Sequence, residues 1–348
     1  MNLMKRARPS RSRMRGVTLI ELMIALVLGL LVVGAAIGIF LANRRTYSAT
    51  EGLGRVQENV RTAFELMARD VREASGNPCV NTVPVANVLK TKASNWYTNI
   101  DTWNAGITGV EGAFPSGSPA NGTATGARVA GTDALQILGS GYEVATISSD
   151  NTSAATFTLN MTAAAAGINV GDVAVACNAR QSAIFQVSAV SGSTITHAVS
   201  GVSPGNCSTG LAMPVCGGSQ FAFVAPGSVV ANLHAARWFI GNNASGTRSL
   251  YQSQMVYSGG ALAQRNDEVL EGVNDMQLQY LVKDAASYVD ATAVSDWSSV
   301  VAVSVRLEML DTTRVGPAGE PIREGLNNDA DRAEGGMVPK SGVWIFGI

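Results

Sequence analysis

Arg15-Gly16-Val17-Thr18-Leu19-Ile20-Glu21 opens the stretch whose reading decides the fold, and an apolar run follows it to Leu41. A basic leader stops at a glycine, a hydrophobic helix begins, and one carboxylate stands five residues past that glycine. Between Val17 and Leu41, Glu21 is the only ionisable side chain. A run of about 20 apolar residues is long enough to cross a bilayer core of roughly 30 Å. A charge at that depth costs on the order of 2.5 to 3.5 kcal/mol, so a carboxylate kept there points to a function. The plainer alternative is a residue near a helix end that reaches back to the membrane surface.

Charge is distributed to match. Lys5, Arg6, Arg8, Arg11, Arg13 and Arg15 are six of the 25 basic residues, and none of the 26 acidic residues precedes Glu21. The positive-inside rule then places residues 1–16 in the cytoplasm and the chain beyond the helix outside. Cleavage after Gly16 would leave 19 basic against 26 acidic residues, a balance of minus 7. An acidic chain of this kind argues against a nucleic-acid surface built from bulk charge. The leader also differs from a secretory signal peptide, whose cleavage site follows the apolar region.

Working outward, the helical pattern continues past the membrane stretch. Gly29, Gly34 and Gly38 punctuate the apolar run, the last two at the spacing that lets helices approach closely. From Leu53 the apolar positions Leu53, Val56, Val60, Phe64, Met67 and Val71 recur at steps of three and four, with charged residues on the other faces. Ser75-Gly76-Asn77-Pro78 supplies the stop. One helix is predicted over Val17 to Ala74, about 85 to 90 Å at 1.5 Å per residue. Its first half suits lipid, and its second half carries a stripe that needs a cover.

These N-terminal residues resemble the prepilin signal of type IV pilins and type II secretion pseudopilins: a basic leader ending in Gly16, then Val17-Thr18-Leu19-Ile20-Glu21, then a long apolar helix. Val17 stands where phenylalanine is most usual. The resemblance implies that a prepilin peptidase cuts after Gly16, that Val17 becomes the N-methylated terminus, and that Glu21 pairs with the N-terminal amine of a neighbouring subunit during filament assembly. A carboxylate that is costly against lipid becomes tolerable beside a cation, which agrees with that role.

The four cysteines, Cys79, Cys177, Cys207 and Cys216, fall on the expected periplasmic side, where an even count suggests disulfides. Four cysteines allow three connectivities. The short loop from Cys207 to Cys216 favours that pair, which leaves Cys79 with Cys177. A zinc site is the alternative, but there is no Cys-x-x-Cys, and the two histidines, His197 and His234, read as structural.

From Cys79 to about Gly131 the composition turns to Gly, Ala, Ser, Thr and Asn, with Trp96, Tyr97 and Trp103 close together. Lectin-like sites use aromatics this way, and loops also fold over aromatics to bury them. Strands are predicted at 134–138, 142–147, 155–160, 172–177, 183–190, 193–199, 220–224, 236–240 and 249–257, from β-branched and aromatic segments between Gly, Asn, Asp and Ser. Connections this short favour antiparallel sheet. Met276, Leu278 and Tyr280 alternate, as do Val301, Val303, Val305 and Leu307, so each set marks a strand with one buried face. Those two segments, 270–280 and 297–307, look like ones shared by PilW-type minor pilins and, more loosely, by J-class minor pseudopilins. The ending 343–348 departs from the longer basic-and-strand ending of PilW-type chains, which leaves the last sheet strand open.

No Gly-x-Ser-x-Gly, P-loop or other catalytic motif is present, so the chain reads as no enzyme, with no cofactor and no metal. Asn327-Asn328-Asp329-Ala330-Asp331-Arg332 with Glu334 spaces oxygen donors as calcium loops do, but Arg332 stands where such a loop wants glycine, so it reads as a solvated loop. The expected fold is α+β and pilin-like: a leader over 1–16, an N-terminal helix over 17–75 with 17–41 in the membrane, and a periplasmic β-rich, mainly antiparallel head over 76–348. The resemblance to PilW-type minor pilins implies a role in priming type IV pilus assembly, with a place at or near the tip. Its partners would be the prepilin peptidase, other minor pilins, the major pilin and a PilY-class tip adhesin. The chain would sit in the bacterial inner membrane, N-terminus cytoplasmic, before entering an extracellular pilus that serves twitching or adhesion. The competing readings are a J-class minor pseudopilin of type II secretion and a tip-exposed module for a sugar or surface. Genomic neighbours would separate the first, and glycan binding that depends on Trp96 and Trp103 the second.

Overall fold

The computed structural model of the protein describes residues 18–74, 78, 83–92, 95–99, 105–114, 119–309 and 341–347. The chain divides between Glu58 and Asn59 into two compact units.

Helix α1 runs unbroken from Leu19 to Glu73. Thr18 sets its start: the Thr18 hydroxyl accepts from the Glu21 backbone N–H at 3.3 Å, and the Thr18 carbonyl accepts from the Leu22 N–H at 3.1 Å. That is N-cap geometry, which satisfies an amide the helix itself leaves without a partner. In the first unit the side chains from Leu19 to Leu41 are all exposed. In the second unit the last turns of α1 are part of the head: Ala63, Met67, Ala68 and Val71 are buried, with Val60 and Phe64 packed beside them. The predicted stripe therefore meets its cover here, while the side chains of Leu53 and Val56 lie outside the described residues. Ala74 leaves the helix and bridges Gly139.

The head begins with β1 (Val85–Asn87), β2 (Ile107–Val110), β3 (Ala134–Asn151), β4 (Thr156–Leu159), β5 (Val173–Cys177), β6 (Ser182–Gln186), β7 (Ala189–Ser191) and β8 (Thr194–Thr196). It continues with β9 (Val229–Asn242), β10 (Arg248–Ser258), β11 (Ala261–Glu271), β12 (Val273–Val282), β13 (Val300–Met309) and β14 (Ser341–Gly347). Strands β1 to β11 form one sheet whose main path is β1-β6-β5-β9-β3-β4-β8-β7; β10 joins β9 and carries β11, and β2 pairs with β3. Strands β12, β13 and β14 form a second, antiparallel sheet. Among the described ladders only β1 with β6 is parallel. The fold is α+β and pilin-like, and the head is mainly antiparallel.

One core lies between α1, the middle of the large sheet and the small sheet. Met67 and Val71 of the helix, Ile137 of β3, Trp238 of β9, and Met276, Tyr280 and Val305 of the small sheet all belong to it. Of the alternating sets read in β12 and β13, Met276, Leu278, Tyr280, Val303, Val305 and Leu307 are buried, but Val301 is exposed: near that end the ladder shifts register and Val300 and Ala302 are buried instead.

Several expectations need correction. Residues 134–138 and 142–147 are not two strands but one, β3, whose register on β9 shifts between Ser140 and Val144. Gly139-Ser140-Gly141 looks like a turn in sequence. In the fold it marks a bulge and the close approach of another backbone, the end of α1. Residues 183–190 split between β6 and β7, and Val187 and Ser188 between them turn their amides to other carbonyls. Residues 220–224 form no strand: the Phe223 N–H donates to Asp150 Oδ2 at 2.8 Å, and its ring packs on Phe157 at 5.7 Å. β1 and β2 arise inside the stretch read as loop from composition. The C-terminal residues do complete a sheet, because β14 pairs along β13.

Candidate assembly site on the N-terminal helix

Glu21 stands in the first turn of α1 and is exposed, as are the apolar side chains on every side of it. The segment Leu19–Arg44 is long and apolar enough to cross a membrane, about 39 Å at 1.5 Å per residue. Its side chains are exposed among the described residues. A Cβ built at Gly29, Gly34 or Gly38 would touch nothing. Among the described residues no packing explains these glycines, so their smallness is available to lipid or to a neighbouring helix.

The local structure adds a second reason for a carboxylate at this position. Thr18 is the N-cap and Glu21 the third helical residue, the Thr-x-x-Glu pattern of a capping box. An acidic group in the first turn also favours the helix dipole. The sequence reading overlooked this, although the spacing was there to be read. Gly16 and Val17, the expected cleavage and methylation positions, lie outside the described residues.

At the other end of α1, Asp70 is buried and tied to the head. Trp238 Nε1 donates to Asp70 Oδ2 at 2.8 Å, and Gln252 Nε2 donates to the same oxygen. Burial pushes the Asp70 carboxyl above its ordinary value, against the lowering influence of His234 and of these two donors. The helix is thus held by apolar packing and by a polar anchor that reaches two strands. None of this anchor was foreseen from the sequence, since no local pattern links residues 70, 238 and 252.

The remaining candidate residues are scattered. Cys207 and Cys216 form a disulfide with Cα atoms 5.4 Å apart. Cys177 is also disulfide-bonded, and Cys79 lies outside the described residues. His197 is buried against Phe157 and Phe185, in keeping with a structural role. His234 instead faces Asp70 at 3.8 Å. Trp96 is 2% exposed; its Nε1 donates to Gln264 Oε1 at 2.8 Å, and the Arg237 guanidinium lies 4.3 Å over its ring. That leaves it no free face for a sugar, and Trp103 lies outside the described residues. So does the calcium-like stretch 327–334.

The two ends of this arrangement match known families. Residues 11–37 match the prokaryotic N-terminal methylation motif, which covers the cap, Glu21 and the apolar run as far as Ile37, with Gly29 and Gly34. Residues 237–321 match the type IV pilus-assembly protein W family, PilW, and contain both Trp238 and Gln252. Over these two segments the chain is similar to PilW-type minor pilins. No curated protein matches it. The methylation motif falls on the start of α1, whose apolar segment is long enough to cross a membrane. The PilW segment runs from within β9 through β13 and supplies the wall on which the end of that helix rests.

Proposed function

We propose that this minor pilin helps prime assembly of the type IV pilus and is incorporated at or near the tip. The observation that carries the reading is a wholly uncovered apolar helix with one carboxylate in its first turn, joined to a head of PilW type. In lipid, that carboxylate favours any arrangement that brings a cation beside it. Cleavage after Gly16 creates such a cation, the methylated amine of Val17, on each neighbouring subunit. Pairing between Glu21 and that amine would set the axial register of subunits as they leave the inner membrane. The head is then periplasmic first and extracellular later, and the protein acts by assembly rather than catalysis. The prepilin peptidase, other minor pilins, the major pilin and a PilY-class tip adhesin are the partners this reading requires.

The test is surface piliation in cells that lack the protein or carry Glu21→Ala, with pilus retraction disabled in parallel strains. The expected result is that deletion removes or sharply reduces surface pili, that Glu21→Ala does likewise, and that disabling retraction only partly restores them. Normal piliation with failed protein export would overturn it in favour of a secretion pseudopilin.

A further inference from the structure

Asp70 and Glu73 lie one helical turn apart at the end of α1, and His234 of β9 faces them. One potential ligand atom from each lies within 4.8 Å of the other two. His234 Nε2 is itself buried and has no hydrogen-bond partner, although it comes to 3.8 Å from Asp70 Oδ1. Trp238 and Gln252 both hold Asp70 by Oδ2, which leaves Oδ1 turned toward the imidazole. Glu73 Oε1 is engaged by Arg69 Nε at 2.8 Å, from a side chain that is two-thirds exposed.

We propose that Asp70, Glu73 and His234 bind a divalent transition-metal ion, with zinc the best match, which clamps the end of the pilin helix to the central strand of the head. One imidazole nitrogen and two carboxylate oxygens form a three-residue donor set that zinc accepts, with water in the fourth position. The imidazole selects against magnesium and calcium, which prefer oxygen donors alone. Ligand atoms of a tetrahedral zinc site lie about 3.3 Å apart, given bonds of about 2.0 Å. The His234–Asp70 pair therefore needs to close by less than 1 Å. Two donors fix the orientation of the Asp70 carboxylate, as outer-shell partners do around metals. The exposed part of the His234 side chain, 29% of it, gives an entry path. Arg69 is the competing cation, and its exposure lets it swing away once a metal takes Glu73. The alternative is a simple imidazolium–carboxylate pair, but that pair would form a hydrogen bond, and none is made at Nε2.

The proposal is tested on the full chain, tag-free and purified in detergent, after removal of metals with a chelator. Zn²⁺, Mg²⁺ and Ca²⁺ are titrated separately by calorimetry, and Co²⁺ serves as a visible-absorption probe of the site. The expected result is one Zn²⁺ per chain, a raised melting temperature, no heat from Mg²⁺ or Ca²⁺, and a Co²⁺ spectrum of low coordination number. His234→Gln and Glu73→Gln should each weaken Zn²⁺ binding by at least about 100-fold, more than loss of an outer-shell partner costs, and abolish the Co²⁺ spectrum. Absence of zinc binding by the parent chain, or undiminished binding in both variants, overturns the proposal.

Discussion

Trp238 on β9 donates its indole N–H to Asp70 on α1 across 168 residues of sequence, and this 2.8 Å bond ties the last turns of α1 to the β-rich head. Asp70 is buried, so its carboxylate depends on the donors it meets. Trp238→Phe keeps an aromatic ring in the core but removes one of the two donors on Oδ2. Loss of a partner to a buried charged group costs about 1–3 kcal/mol or more. Chemical unfolding of the full chain in detergent should show a loss of that size. An unchanged midpoint would mean that Gln252 alone satisfies Asp70.

Gly139 makes the second connection between helix and head. A Cβ built there would fall on the carbonyl oxygen of Glu73, far inside van der Waals contact, and that atom is backbone and cannot rotate away. Gly139→Ala should destabilise the head by about 1–3 kcal/mol, the usual cost of overpacking. It should also speed amide exchange over the last turns of α1, around 67–73. Gly112→Ala, where a Cβ would meet nothing, is the control and should change neither.

The N-terminal half of this architecture was legible because its signals are local. A leader glycine, an apolar run and a three-to-four stripe each depend on residues close in sequence, and α1 follows them from Leu19 to Glu73. Alternation likewise marked β12 and β13, since each turns one face to a single core. What stayed hidden was long-range. Gly139 reads as a turn until the helix end is known to press on it. Asp70 reads as one polar residue among several on a helix until Trp238 and Gln252 are placed beside it. Phe221 and Phe223 read as a strand, but among the described residues no partner strand comes alongside, and Phe223 is spent on the core beside Phe157.

His197 carries a pH prediction. Its ring is buried against Phe157 and Phe185 at 4.9 and 5.4 Å, and neither nitrogen has a hydrogen-bond partner. Burial lowers its pKa from 6.5 to about 4. The unfolded chain then binds a proton more readily than the folded one. Stability is therefore full above about pH 6.5 and falls as pH drops toward 4, by roughly 3 kcal/mol from this group. Unfolding midpoints measured from pH 7 to pH 4 should decline accordingly. His197→Leu should flatten that part of the profile, and a variant with the same decline as the parent would show that other groups set it.

A single atom change separates the capping pattern at Glu21 from the pairing with an N-terminal amine proposed for it. At the third helical position of a capping box, glutamine serves as well as glutamate. As a partner for an N-terminal amine it does not, because glutamine carries no charge. Glu21→Gln should leave the helix content of the purified chain unchanged and yet be as defective in surface piliation as Glu21→Ala. Thr18→Ala reverses the experiment: it removes the N-cap hydroxyl, at a cost of about 1 kcal/mol to the helix start, and keeps the charge. Its piliation should stay close to that of the parent strain. Normal piliation with Glu21→Gln would assign the carboxylate to capping alone, and the force that aligns neighbouring subunits would then have to come from the uncovered apolar helix and its glycines.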